Sequence, residues 1–199
     1  MVIFQTDEER LSYLNYLGVE AVRFEVEILA WCLMTNHVHF IAVPKKGDSL
    51  ARAFGEAHRL YTRMKNFREG VRGYLFQGRF SSCVLDESHL LAATSYVELN
   101  PVRAGMVKKA WLYPWSSAAF HTGQGKTDPL VKDRTLRGLI SDWKGFLLMG
   151  PSNTRDETIR KMTRTGRPVG GAGFVSLVEQ LTARDLSTGK AGRPLKSPK

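Results

Sequence analysis

Two apolar runs separated by a short polar break constrain this chain most: Ile28-Leu29-Ala30-Trp31-Cys32-Leu33-Met34, then Phe40-Ile41-Ala42-Val43. Upstream, Val22, Phe24, Val26 and Ile28 alternate with Arg23, Glu25 and Glu27, the period of a half-buried strand. The break at Met34-Thr35-Asn36 leads straight into a second strand, so the pair reads as an antiparallel hairpin. His37 and His39 stand two apart at the start of that second strand, and a period of two turns both imidazoles to one face. Imidazole is the commonest protein ligand of divalent metals, and such a pair needs one further polar ligand to make a site. On spacing alone, histidines in a strand are more often simply hydrogen-bonded polar positions.

Helices are expected on both sides of the hairpin. Thr6-Asp7-Glu8-Glu9 is a capping box that opens a helix with Leu11, Leu14 and Leu17 at helical spacing and Gly18 as its stop. After the turn Pro44-Lys45-Lys46-Gly47-Asp48, a second helix capped by Asp48 or Ser49 buries Leu50, Phe54, Ala57, Leu60, Tyr61 and Met64. Its other face carries Arg52, Arg59, Arg63 and Lys65, which suit either a solvated face or contact with phosphates. Arg79 to Leu85 reads as a third strand. A helix then opens at Asp86 and is expected to stop at Pro101. On that helix Tyr96 and Asn100 lie four apart and share a face. The phenol is a possible nucleophile and the carboxamide a possible metal ligand; core packing and helix capping are the alternatives.

At 199 residues the chain has room for one domain with its own core and an extension. A 43% hydrophobic fraction and a mean hydropathy of −0.24 describe a globular protein without a membrane span. The first residues lack the basic start and apolar centre of a signal peptide, so a cytoplasmic, bacterial location is expected. Cys32 and Cys83 sit far apart in apolar surroundings and read as reduced, buried thiols. The net charge of +10 points to a polyanionic partner. Residues 151–199 hold ten Lys/Arg against four Asp/Glu, so most of the excess lies there.

Four segments taken together resemble a known family. They are Trp31-Cys32-Leu33-Met34-Thr35-Asn36-His37-Val38-His39-Phe40, Gln77-Gly78-Arg79-Phe80, Tyr96-Val97-Glu98-Leu99-Asn100-Pro101-Val102-Arg103-Ala104-Gly105-Met106-Val107, and Tyr113-Pro114-Trp115-Ser116-Ser117. In this order the chain resembles the single-tyrosine HUH transposases, and among them the REP-associated tyrosine transposases of bacteria. The resemblance implies an α+β fold: a ferredoxin-like split βαβ sandwich with an antiparallel sheet, of the HUH nuclease type. It implies His37, His39 and Asn100 as ligands of Mg²⁺ or Mn²⁺ and Tyr96 as the nucleophile. It also implies cleavage and rejoining of single-stranded or hairpin DNA through a 5′-phosphotyrosine link, by a homodimer. The two histidines by themselves would suit zinc as readily. Because ligation needs neutral imidazole, activity is expected to fall below about pH 6.

The organisation expected is a catalytic domain over 1–120, a helical extension over 121–150 with one short helix from Leu136 to Met149, and a basic C-terminal tail over 151–199. Relatives in the family begin with a further strand, of which only Val2-Ile3-Phe4 has a counterpart here, so the sheet is expected to lack its first strand and expose an edge. A misplaced start, a strand supplied by a partner and a decayed copy are the competing explanations. The tail repeats Gly-Arg-Pro at 166–168 and 192–194 around a helical stretch from Phe174 to Leu181. Arg167 and Arg193 in these tripeptides suit either an AT-hook in the minor groove or a flexible linker. Arg79 and Arg103 join Arg52, Arg59 and Arg63 as candidate grips on DNA. Trp31, Trp111 and Trp115 are candidates for stacking on bases or for the core. A DNA-cleaving and DNA-joining enzyme is the leading reading. A catalytically decayed DNA-binding protein and a basic RNA-binding protein are the others.

Overall fold

The computed structural model describes residues 2–132, 135–150 and 153–186. Helix α1 (Asp7–Arg23) opens on the expected capping box: Glu9 N–H donates to Thr6 Oγ1, while the Glu9 carboxylate accepts from Thr6 N–H. It runs through Gly18, because Leu17, Glu20 and Ala21 still face the core. Strand β1 (Val26–Leu33) therefore starts later than the alternation from Val22 suggested, after a left-handed Glu25. It pairs antiparallel with β2 (Val38–Pro44), and Met34 N–H donates to His37 O across the tight turn.

A bulge between Ile28 and Ala30 shifts the phase of β1 by one residue. Val26, Ile28, Trp31 and Leu33 consequently face one apolar cluster, and Leu29, Ala30 and Cys32 face another. The first cluster is closed by α1 and by α2 (Ser49–Glu69), through Tyr13, Leu17, Phe54, Ala57 and Tyr61. Ile3 and Phe4 are buried in it and hydrogen-bond through their N–H groups to Thr35 O. The second is closed by α3 (Glu87–Glu98), through Ala93, Tyr96 and Val97. Helix α4 (Asn100–Arg103) follows after Leu99, with Pro101 in its first turn, so the proline opens a new turn where a stop was expected.

Three expectations are corrected. Arg79–Leu85 forms no strand: it runs as irregular chain with one parallel bridge, Leu85 to Val169. The reason is geometric. An open groove separates this segment from the outer edge of β2, and among the described residues no strand lies along that edge to pair with either. The helix expected over Leu136–Met149 is two, α6 (Thr135–Leu139) and α7 (Trp143–Leu148), because Asp142 caps the second by accepting from Gly145 N–H at 2.9 Å. Of the residues after 150, those from 153 to 186 are not simply a tail. They form α8 (Asn153–Thr165), whose Ile159 is buried in the cluster that holds Tyr96, and α9 (Ala172–Thr182).

Arg167 accordingly lies in a helix cap and not in an extended arm. Gly166 is left-handed (φ 66°), Arg167 N–H donates back to Met162 O, and Val169 is buried against Val84 and Leu85. An AT-hook needs an extended segment free to enter a groove, so the first tripeptide is not one. The second, with Arg193, lies outside the described residues. Both cysteines are free thiols, Cys32 buried and Cys83 half-buried. No described helix is long and apolar enough to cross a membrane.

Candidate active site

The turn that joins β1 to β2 presents His37, and the first outward position of β2 presents His39 opposite Cys32. Their rings meet edge to face with centroids 4.8 Å apart. Asn36 Oδ1 lies 2.7 Å from His37 Nδ1, which places the proton on Nδ1 and leaves Nε2 as the free lone pair. Burial pushes the His37 pKa down. It pushes that of His39 down to about 4, helped by the nearby His37 and Arg103. Both rings are thus held in the neutral form that ligation requires, and the proton competition expected near pH 6 moves to more acid conditions.

Helix α3 brings Tyr96 to the same place, its ring edge to face with His39 at 5.9 Å. Tyr96 is 8% exposed and packs in the second cluster, yet it lines the groove with both histidines. On its other side the Arg103 guanidinium lies 4.0 Å from the ring centre and donates to Tyr96 O (2.6 Å) and to Asn100 Oδ1 (2.8 Å). Asn100 is 9% exposed, does not line the groove, and keeps an unpaired, buried Nδ2. Its oxygen has one lone pair beyond the bond to Arg103, so it can ligate a cation only beside that fixed positive charge. Among the described residues no three His, Cys, Asp or Glu side chains converge. A cation held at the histidine pair would have to complete its shell from a carboxamide, from water or from substrate oxygens.

The groove has a volume of about 990 Å³ and a mostly apolar wall. Phe54 and His58 of α2 stand on one side, Gln77 to Leu85 across from β2, and Ile159 and Thr163 of α8 at one end. Of the candidate DNA grips among the described residues, only Arg79 lines it. Arg52 is ion-paired with Asp48 and lies over Phe24, and Arg59 is doubly hydrogen-bonded to Glu56. Arg63 is exposed on α2. Arg103 is turned inward, onto Tyr96. Trp31 is buried, with its indole N–H on Asp128, so it stacks on nothing outside the core, while Trp111 and Trp115 are half-buried.

Sequence reading missed two groups. His58 lies flat on Phe76 (3.9 Å, 14°) and hydrogen-bonds Tyr13 Oη at 3.0 Å; its position on the buried stripe of α2 was the available signal. Glu98, fully buried, accepts from Ser117 Oγ (2.6 Å), His121 Nδ1 (2.5 Å) and Trp143 Nε1 (2.8 Å), tying the end of α3 to α5 (Ala118–His121) and α7. Nothing in the spacing of those four residues announces the network.

The sequence matches no protein-family model and no curated protein. Among solved structures, it is similar to a REP-associated tyrosine transposase bound to a REP hairpin. The TM-score is 0.50 at 16% identity, covering 64% of this chain and 75% of that one. The chain has the fold of that transposase. The α+β architecture expected from the four segments is therefore present, with a two-stranded antiparallel sheet.

Proposed function

We propose that this chain is a metal-dependent single-stranded DNA endonuclease and strand transferase, a transposase that cuts at hairpin-bearing repeats through a 5′-phosphotyrosine intermediate. The observation that carries this is the convergence of three side chains on one groove wall: His37 against His39 at 4.8 Å and His39 against Tyr96 at 5.9 Å. The fold shared with a transposase that holds a hairpin supports the same reading.

In it, Tyr96 Oη attacks the scissile phosphorus, the P–O3′ bond breaks, and the phenol proton leaves while the departing 3′-oxygen gains one. The new ester keeps the phosphate on the 5′ side, and a second 3′-hydroxyl reverses the step without ATP. His37 and His39, with Asn100 as the proposed third ligand, would hold Mg²⁺ or Mn²⁺, which would supply Lewis-acid polarisation of the phosphate. Arg103 fixes the tyrosine ring and offers positive charge beside the reacting phosphate. A homodimer belongs to this reading.

The test is incubation with a 5′-labelled and a 3′-labelled hairpin strand in Mn²⁺. A covalent adduct on the 3′-labelled strand, lost in Tyr96→Phe and in chelator, is expected; no adduct in the parent protein overturns the proposal. A second reading, a DNA-binding protein that has lost turnover, draws on the burial of Tyr96 and the bond that already engages Asn100 Oδ1. It predicts hairpin binding indifferent to chelator and to Tyr96→Phe.

A further inference from the structure

The last turn of α2 and the loop that follows it carry the two most exposed aromatic rings among the described residues, Phe67 (91%) and Tyr74 (93%). The loop is built and not slack. Asn66 accepts Val71 N–H at its carbonyl (3.0 Å) and donates Nδ2–H to Gly73 O (2.8 Å), with Gly70 and Gly73 taking the positive φ values the tight path needs. Phe67 and Tyr74 are the residues next to the two ends of that clamp, so both rings are displayed from one small, fixed base. Single exposed apolar side chains need no explanation, but two aromatic rings held out from a helix end and its hydrogen-bonded loop do.

The charge around them selects the occupant. Arg63 stands one turn before Phe67 on the same face of α2, Arg72 lies within the loop, and both are exposed. Arg68 reaches toward Glu8 at 3.8 Å, while Glu69 is taken by Lys65 at 2.8 Å. Guanidinium groups interleaved with aromatic faces match a chain of alternating phosphates and unpaired bases. The loop is also continuous with the candidate active site: directly after Tyr74, Leu75 to Arg79 line the groove that holds His37, His39 and Tyr96.

We propose that Phe67 and Tyr74 form a stacking platform for unpaired bases of single-stranded DNA running out of the groove, with Arg63 and Arg72 on its phosphates. This deepens the DNA-processing reading and rests on it, but stacking asks nothing of Tyr96, so the two are separable by experiment. Bases inside a duplex already stack on each other and offer no face, so the platform acts only on the unpaired part of a substrate.

The test measures binding of three labelled DNAs by fluorescence anisotropy: a dT20 strand, a hairpin with a single-stranded extension, and the same hairpin blunt. Phe67→Ala and Tyr74→Ala are each expected to weaken dT20 and the extended hairpin about five- to hundred-fold and to leave the blunt hairpin within twofold. Phe67→Tyr and Tyr74→Phe restore binding if stacking is the cause. Because both rings are exposed, the melting temperature of the variants serves as the folding control. Unchanged dT20 binding in the double alanine variant overturns the platform. So does an equal loss on the blunt hairpin, a clear preference for the matching RNA strand, or a parent dimer that the variants dissolve. Failure of the parent to form a covalent adduct while the stacking result holds would overturn the enzymatic reading alone.

Discussion

The guanidinium of Arg103 lies 4.0 Å from the centre of the Tyr96 ring and donates to the backbone oxygen of the same residue at 2.6 Å. One arginine thus holds the tyrosine by its face and by its main chain, and spends a third contact on Asn100 Oδ1 at 2.8 Å. Arg103→Ala is expected to cut covalent adduct formation by roughly a hundred- to a thousand-fold, the usual cost of removing one preorganised charge from a reacting centre. Hairpin affinity should move less than fivefold. Single-turnover adduct assays beside binding titrations separate the two, and equal losses in both would reassign Arg103 to binding.

His37→Ala and His39→Ala should each abolish Mn²⁺ binding followed by calorimetry, and with it the adduct. Because burial pushes the His39 pKa down to about 4, protons compete with the metal only in acid solution. Mn²⁺ affinity is therefore expected to stay flat from pH 8 to about 6. A tenfold loss within that range would mean that the imidazoles titrate as they do in free peptides.

His58 gives a pH dependence of stability. Burial pushes its pKa down to about 4 from an ordinary 6.5, so between these values the unfolded chain binds the proton more readily than the folded one. The His58 contribution is fully present above pH 6.5 and is lost as the pH falls toward 4. Water reaching the groove limits the effect to roughly 1–2 kcal/mol. Urea midpoints measured from pH 7 to 4.5 should fall less in His58→Phe than in the parent.

Lys65 is buried between Glu9 and Glu69, at 2.7 Å and 2.8 Å. Burial works against a charged Glu9, yet Lys65 and the N–H groups of Gln5 and Thr6 hold its carboxyl below the usual range. Lys65→Met strands that carboxylate inside the fold and is expected to cost about 3–5 kcal/mol in urea unfolding. The double variant Lys65→Met with Glu9→Leu should recover part of it, since the desolvated charge goes with its partner.

Glu98 makes a parallel case. Glu98→Ala leaves the hydroxyl of Ser117, the imidazole of His121 and the indole of Trp143 without their shared acceptor. A loss of about 3 kcal/mol or more is expected, read as a lower thermal midpoint. A loss under 1 kcal/mol would show that water takes over the carboxylate's role.

Local order was written in the sequence wherever neighbours along the chain decide it. The capping box at Thr6 and Glu9, the hairpin turn at Thr35-Asn36 and the side-by-side histidines depend on residues within a few positions of one another, so their spacing announces them. Tertiary packing decided the rest. Whether Arg79–Leu85 becomes a strand depends on a neighbour to share its backbone hydrogen bonds, and a groove stands where that neighbour would lie. Arg103 turns onto Tyr96 because helix α4 resumes just past Leu99, and Glu98 collects donors from residues 19 to 45 positions away. Contacts between distant segments carry no periodic signal along the chain, so only the folded molecule reveals which charges face the tyrosine and which merely hold the body together.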